Sequence, residues 1–382
     1  MFFFRNLHLY LFESFLSVFH KKNLYQTIVD SSPMNINHSQ SIKIRKKNNN
    51  LEAEDILPQD DAFHSVKSIA DVEWWYFDAI FENGYSVHIG VRIFHSEGRS
   101  GIVRARFEIY KGGLVEAAAV KTALLKDLRI SHVIPLIQFD DHNVIIFDED
   151  HYKKTGEWTY KVSFEMEQHS IDLTFNRTMK GWKIETPRNS WAVPLPKATV
   201  DGTIHIHDTV IPVHGIGYHD HNWDYSLFTT WMRNTGWYWG RIIGDAGSVI
   251  WAQTIEKKER KNTIVIINQE KQHLDGGKEF VTIPPSNISF SVSHFVRDHQ
   301  EWIPTEFSID VSPTPLIGPN PVELHLTLSA NEIHHTRILA VHYWRYHVKT
   351  NGTLSIGSAN ETFHDKMQII ELLSFKTLKE KE

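Results

Sequence analysis

This sequence predicts an all-β chain of two units, and three observations carry that prediction. Apolar residues recur at every second position through most of the chain, turn residues cut these runs at short intervals, and long helical patterns are scarce. At 382 residues the chain exceeds a typical domain, so two core-bearing units are the expectation and one large unit the runner-up. Meandering antiparallel strands of this kind remove their edges by closing, or nearly closing, into barrels.

The first residues stand apart from the pattern. Phe2–Phe19 is rich in Phe and Leu but is interrupted by Arg5, Asn6, Glu13 and Ser14, which makes it a poor transmembrane span. It also lacks the small-residue cleavage site of a signal peptide. Leu7, Leu11, Phe15 and Val18 share one helical face. One reading is therefore an amphipathic helix in peripheral contact with a membrane; the other is an extension without bearing on the fold. From Ser31 to Glu54 the chain turns polar, with Lys43, Arg45, Lys46 and Lys47, as a disordered linker does. A start at Met34 would remove the hydrophobic segment. The expected organisation is an extension at 1–54, a first β unit at 55–228, a second at 229–376 and a charged tail at 377–382.

Strand patterns begin after Asp55. Tyr85, Val87, Ile89, Val91 and Ile93 alternate with Ser86, His88, Gly90, Arg92 and Phe94, which predicts a strand with one buried face. Tyr160, Val162, Phe164 and Met166 repeat the pattern, as do Ile171, Leu173 and Phe175, and later Val322, Leu324, Leu326 and Leu328. Turns are expected at Gly112-Gly113, Asp140-Asp141, Asn176-Arg177 and, most strongly, Asn351-Gly352. The boundary between the units is expected near Asp224–Asn234, before a second set of strands starting at Trp237.

Composition narrows the function. Hydrophobic residues make up 41% and charged residues 23%, an ordinary globular balance. The net charge is -6, and nothing asks for a nucleic-acid partner. With Cys at zero there is no disulfide, thiolate nucleophile or Cys-ligated metal, which fits a cytoplasmic location. Twelve Trp, 22 Phe and 24 His are the unusual feature: aromatics line apolar pockets, and imidazoles supply donors, acceptors and a proton near neutral pH. A packed core can equally absorb the Phe residues.

Two constellations carry the candidate chemistry. Asp71–Asp78 reads Asp-Val-Glu-Trp-Trp-Tyr-Phe-Asp and puts aromatics on both faces of an extended segment. Glu73, Trp74, Trp75 and Tyr76 are its candidate ligand-binding residues, against the alternative of an aromatic plug with Glu73 in a salt bridge. The second constellation is His205, His207, His214, Tyr218, His219, Asp220, His221, Asn222 and Trp223. Alternation puts His219 and His221 on one face and Asp220 on the other, so either the imidazoles or the carboxyl line a cavity. An acid–base pair and a structural polar network are held level, with a metal site last. Gly215-Ile216-Gly217 lets backbone approach closely. Trp237-Tyr238-Trp239-Gly240-Arg241 opens the second half, with Arg241 a partner for Glu73 or Asp220 or stacked on an indole.

Glu73-Trp74-Trp75-Tyr76-Phe77 together with Gly217-Tyr218-His219-Asp220-His221-Asn222-Trp223 resembles the signature of the AttH/CrtC-like lipocalin-like proteins, which include carotenoid 1,2-hydratase (hydroxyneurosporene synthase). The resemblance runs from about Asp60 to Leu373. It implies two calycin-type, lipocalin-like antiparallel β-barrels packed together, with the motifs near a cavity. It further implies hydration of an acyclic carotenoid without a redox cofactor, or a pericyclic reaction on a polyene; no cofactor and, from the residues themselves, no metal is expected. The partner so implied is an apolar isoprenoid, carotenoid or other lipid, and a non-catalytic lipid-binding protein is the alternative. Within the resemblance the His-x-Trp portion points to His221 and Trp223, and Tyr238 stands for a downstream Tyr, while Gly240 occupies the place of an Asp. The expected catalytic set is Asp220, His219, His221, Trp223 and Tyr238. The expected ligand-binding set is Glu73, Trp74, Trp75, Tyr76, Tyr218, Asn222, Trp237 and Trp239.

Overall fold

Period-two alternation builds strands, and a computed structural model shows two antiparallel sheets made of them. It describes residues 51–375 apart from 65–70, 96–100, 187–188, 227–229, 231–233, 257–260, 271–278, 318–319 and 339–340. The expectations for residues 1–50 and the charged tail lie outside the described residues.

The first sheet contains β1 (Glu54–Asp55), β2 (Asp71–Phe81), β3 (Tyr85–His95), β4 (Gly101–Lys111), β5 (Leu114–Leu124), β6 (Arg129–Ile130), β7 (Leu136–Gln138), β8 (Val144–Phe147), β9 (Thr159–Met166), β10 (His169–Arg177), β11 (Trp182–Glu185), β12 (Ser190–Ile206) and β13 (Thr209–Ser226). The second contains β14 (Asn234–Ile243), β15 (Gly247–Glu256), β16 (Lys261–Gln269), β17 (Phe280–Thr282), β18 (Ile288–Asp298), β19 (Glu301–Ile317), β20 (Asn320–Ile338), β21 (Val341–Ile356) and β22 (Ala359–Ser374). The first runs β5-β4-β3-β2-β13-β12-β10-β9-β8-β7-β6, with β11 linking β12 to β1; the second runs β17-β16-β15-β14-β22-β21-β20-β19-β18. Each ladder is open, and in the first the Lys121 ammonium on edge strand β5 pairs with Asp140 beyond β7 across the gap. No helix among the described residues is long and apolar enough to cross a membrane.

Three apolar layers follow from the curl of the sheets. Phe77, Phe107, Val162, Phe175 and Val200 fill the inside of the first sheet, and Trp251, Phe307, Leu326, Trp344 and Tyr346 the inside of the second. Tyr76, Trp182, Tyr218, Trp239 and Ile250 form a third layer between them. The expectation for β3 is corrected, because Ser86 and His88 are buried as well as Val87 and Ile89. A second sheet covers the face that alternation assigned to water: Ser86 Oγ meets His347 Nε2 at 2.9 Å.

Two expected turns are also corrected. Gly112-Gly113 does turn β4 into β5, with φ of 60° and 94°. Asn176-Arg177 instead lies inside β10, paired with Thr199 and Ala198 of β12. Asn351-Gly352 lies inside β21, at a register shift against β22. Gly352 is needed there for its φ of 133° and because a Cβ would come within 1.9 Å of the His325 carbonyl oxygen.

Candidate functional site

The two motifs, about 145 residues apart in the sequence, are neighbours in the first sheet. β2 pairs with β13 so that Trp75 faces His221, Tyr76 faces Asp220, Phe77 faces His219 and Trp74 faces Asn222. Strand alternation then divides their side chains between two layers. Glu73, Trp75, Phe77, His219, His221 and Trp223 point into the first sheet. Trp74, Tyr76, Asp78, Tyr218, Asp220 and Asn222 share the opposite face, toward the second sheet.

The inner group is a closed chain of imidazoles and carboxylates. A 3-10 turn at Pro58–Asp61 delivers the fully buried Asp61, whose Oδ2 accepts from Tyr160 Oη at 2.6 Å and meets His219 Nε2 at 3.0 Å. His219 Nδ1 donates to the Tyr76 carbonyl at 2.9 Å, and its ring stacks on Phe77 at 3.7 Å. His221 stacks on Trp75 at 4.1 Å and holds Glu73 through Nε2 at 3.0 Å. Its Nδ1 lies 3.3 Å from Asp61 Oδ1, an ion-pair distance without hydrogen-bond alignment. Burial opposes charge on His221, yet the adjoining Asp61 and Glu73 carboxylates outweigh it and push the imidazole up to about 8. Burial likewise works against ionised Asp61 and Glu73, but the imidazoles hold both below the usual carboxylate range. His64, stacked on Trp223 at 4.0 Å, brings Nδ1 within 3.2 Å of Glu73. The donor atoms of His64, Glu73 and His221 lie within 4.8 Å of one another, close enough to share one ion.

The outer group centres on Asp220, which is buried beneath half-buried Trp74, Trp191 and Asn222. Its Oδ2 accepts from Tyr218 Oη at 2.9 Å and Trp191 Nε1 at 3.2 Å, while Oδ1 meets Asn222 Nδ2 at 3.4 Å. Across the layer Trp239 from β14 packs at 5.1 Å from Tyr76 and 5.4 Å from Tyr218. The Tyr76 hydroxyl and the Trp239 indole N–H are buried and have no hydrogen-bond partner among the described residues. Half-buried Trp237 meets Tyr225, which meets Trp74 in turn.

Several expectations part from this geometry. Asp220 and the two imidazoles do not share a site, because the sheet itself separates them. Tyr238 points the other way from Trp237 and Trp239, into the second sheet against Phe290 and Phe307. Gly240 shares that inner face, where a Cβ would lie 2.7 Å from Trp251 Nε1, so an Asp has no room. Arg241 pairs with Asp78, not with Glu73 or Asp220. His207 and His214 bond Gln168 and Asp201 far along the hairpin and join neither group. Asp61, His64 and Trp191 carry no motif in the sequence, and Tyr160 reads there only as a buried strand position, so sequence reasoning misses all four as site residues.

No family model and no curated protein matches this chain. Among solved structures, an AttH-like protein from Nitrosomonas europaea matches with a TM-score of 0.57 at 17% identity, over 84% of this chain and 96% of that one. The fold is the AttH-like, lipocalin-like one. CghA, solved with Sch210972, shares it at a TM-score of 0.53 and 13% identity, over 81% of this chain and 89% of its own. Within this AttH-like fold the two signature motifs are partners on adjacent central strands, and that pairing creates both polar groups.

Proposed function

We propose that this chain binds an apolar polyene or isoprenoid against the aromatic layer between its sheets, and hydrates or cyclises it with Asp220 as the acid. One observation carries the reading: a buried carboxyl, bonded by Tyr218 and Trp191 and, among the described residues, by no cation, set in the aromatic layer of Tyr76, Tyr218 and Trp239. Burial pushes Asp220 up to about 8 against the hydrogen bonds from Tyr218 and Trp191, and nearby Glu371 and Asp78 add to it. Tyr218 and Trp191 both bond Oδ2, while Oδ1 has only the long contact from Asn222 Nδ2 at 3.4 Å, so the reading gives the transferable proton to Oδ1. Trp74, Trp191, Asn222 and Trp237 are only half-buried, and on this reading a ligand reaches Asp220 past them. CghA, alike in fold, is solved with Sch210972, which supports ligand binding by such a scaffold.

Proton transfer from Oδ1 to the CH carbon of a trisubstituted alkene consumes the π bond and leaves a tertiary cation beside an Asp220 carboxylate. Water adds to the cation and its surplus proton restores the carboxyl, so the sum is alkene plus water. Where a second double bond lies in reach, it attacks the cation and closes a ring; loss of a proton to Asp220 then gives an isomer. The ring faces of Tyr76, Tyr218 and Trp239 offer the electron-rich surface that a cation requires. No redox cofactor enters either balance. His219, His221, Trp223 and Tyr238 face away from this layer and serve as scaffold.

The test is to incubate the full chain with acyclic carotenoids and polyprenyl compounds and follow them by chromatography and mass spectrometry. Expected is a mass gain of one water, or a shifted retention at unchanged mass. Asp220→Asn should slow turnover by roughly 10²–10⁴-fold while ligand still quenches Trp fluorescence. Binding without conversion across the panel would support the lipid-carrier alternative instead. Full activity in Asp220→Asn would refute the assignment of the acid.

A further inference from the structure

Glu73 Oε1 receives three donors at once. The His64 backbone N–H lies at 2.9 Å, His221 Nε2 at 3.0 Å and His64 Nδ1 at 3.2 Å. A carboxylate oxygen offers about two lone-pair sites, so three hydrogens overfill it, while Oε2 meets only His95 Nε2, at 3.6 Å, among the ion-pair contacts of Glu73. The crowding ends if the two imidazoles present lone pairs to a shared cation. Ligand atoms at about 2.0–2.1 Å from a tetrahedral ion stand roughly 3.3 Å apart, close to the 3.0 and 3.2 Å seen from Glu73 Oε1 to His221 and His64.

We propose that His64 Nδ1, Glu73 Oε1 and His221 Nε2 form a binding site for one divalent ion of the zinc class. Two imidazoles and one carboxylate suit a borderline transition ion, whereas magnesium and calcium demand more oxygens. The surroundings fit the assignment. Asp61 stands 3.3 Å behind His221 Nδ1, as carboxylates stand behind metal-bound imidazoles, and the His64 N–H anchors Glu73. His64 is 25% exposed and gives an ion a way in, while the other two ligands are fully shielded. The site lies on the opposite face of β2 and β13 from Asp220, so it stands or falls independently of the proposed acid.

The full chain, stripped with chelator and dialysed, is titrated with Zn²⁺ and then with Co²⁺. About one equivalent of zinc should survive gel filtration, Tm should rise, and cobalt should show the visible absorption of a tetrahedral complex. His64→Ala, which alters only a partly exposed ring, should weaken retention at least about tenfold with an unchanged circular dichroism spectrum; Glu73→Gln should do the same. His335→Ala, in a surface groove of about 440 Å³ lined by His299, His335 and His342, should change nothing. The proposal is overturned if the wild-type chain retains no zinc, or if retention survives in His64→Ala, or if His335→Ala abolishes it.

Discussion

Asp220 and His221 are adjacent in the chain and both buried, but they face opposite sides of the sheet and meet opposite kinds of partner. Asp220 meets hydroxyl, indole and amide donors, and burial wins, so the carboxyl stays neutral near pH 7. His221 lies between two carboxylates, and they win against burial, so the imidazole is pushed up to about 8. The raised Asp220 makes a prediction for stability. Its folded value lies above that of the unfolded chain, so its contribution is complete below about pH 4 and is lost as pH rises toward 8. Between those limits wild type should lose stability relative to Asp220→Asn by on the order of 1.4 kcal/mol per pH unit, read from urea unfolding at several pH values. Equal slopes in the two proteins would mean that the carboxyl is ionised in the fold.

Strand pairing is what converts these residues into layers. β13 lies between β2 and β12, and Gly217 sits on it where both neighbours approach closely. A Cβ there would lie 2.7 Å from the Asp78 carbonyl oxygen and 2.7 Å from the Phe175 ring. Gly217→Ala should therefore cost about 1–3 kcal/mol through overpacking, measured as a lower urea midpoint. A neutral outcome would show that β13 can shift away from β2, and the register that sets the two polar groups would then be soft. The same logic explains Gly352, where a glycine that reads as a turn lets two backbones approach within a continuous strand.

Two arginines from the second sheet reach carboxylates of the first. Arg241 of β14 binds Asp78 of β2 and also Gln368, and Arg345 of β21 binds Glu108 of β4, Glu371 and Tyr110. All of these groups are buried, so each pair is costly to break although its net gain over an apolar pair is small. Arg345→Met should leave Glu108 and Glu371 without their main counter-ion and cost about 3–5 kcal/mol in urea unfolding. Because residues 50–382 form one compact unit, that loss should move a single transition rather than split it in two. Two separate transitions in the wild-type chain would contradict that coupling.

From its own order of residues the chain determined the all-β class, the strands at Tyr160–Met166, Ile171–Phe175 and Val322–Leu328, and the two motifs that meet on β2 and β13. Local pattern suffices for these because alternation and side-chain type act within a few residues. It also showed that Asp220 and the flanking imidazoles must face opposite ways, but not what each face would meet. Only the tertiary structure decided that Asp61 would enter the first sheet to bind His219 and adjoin His221, that a second sheet would cover Ser86 and His88, and that Tyr238 would turn from Asp220. Those contacts join residues up to some 260 positions apart, such as Ser86 and His347, and burial energies depend on what arrives across that distance. A carboxyl and an imidazole carry their ordinary chemistry in sequence, and the buried partners they acquire on folding reset it.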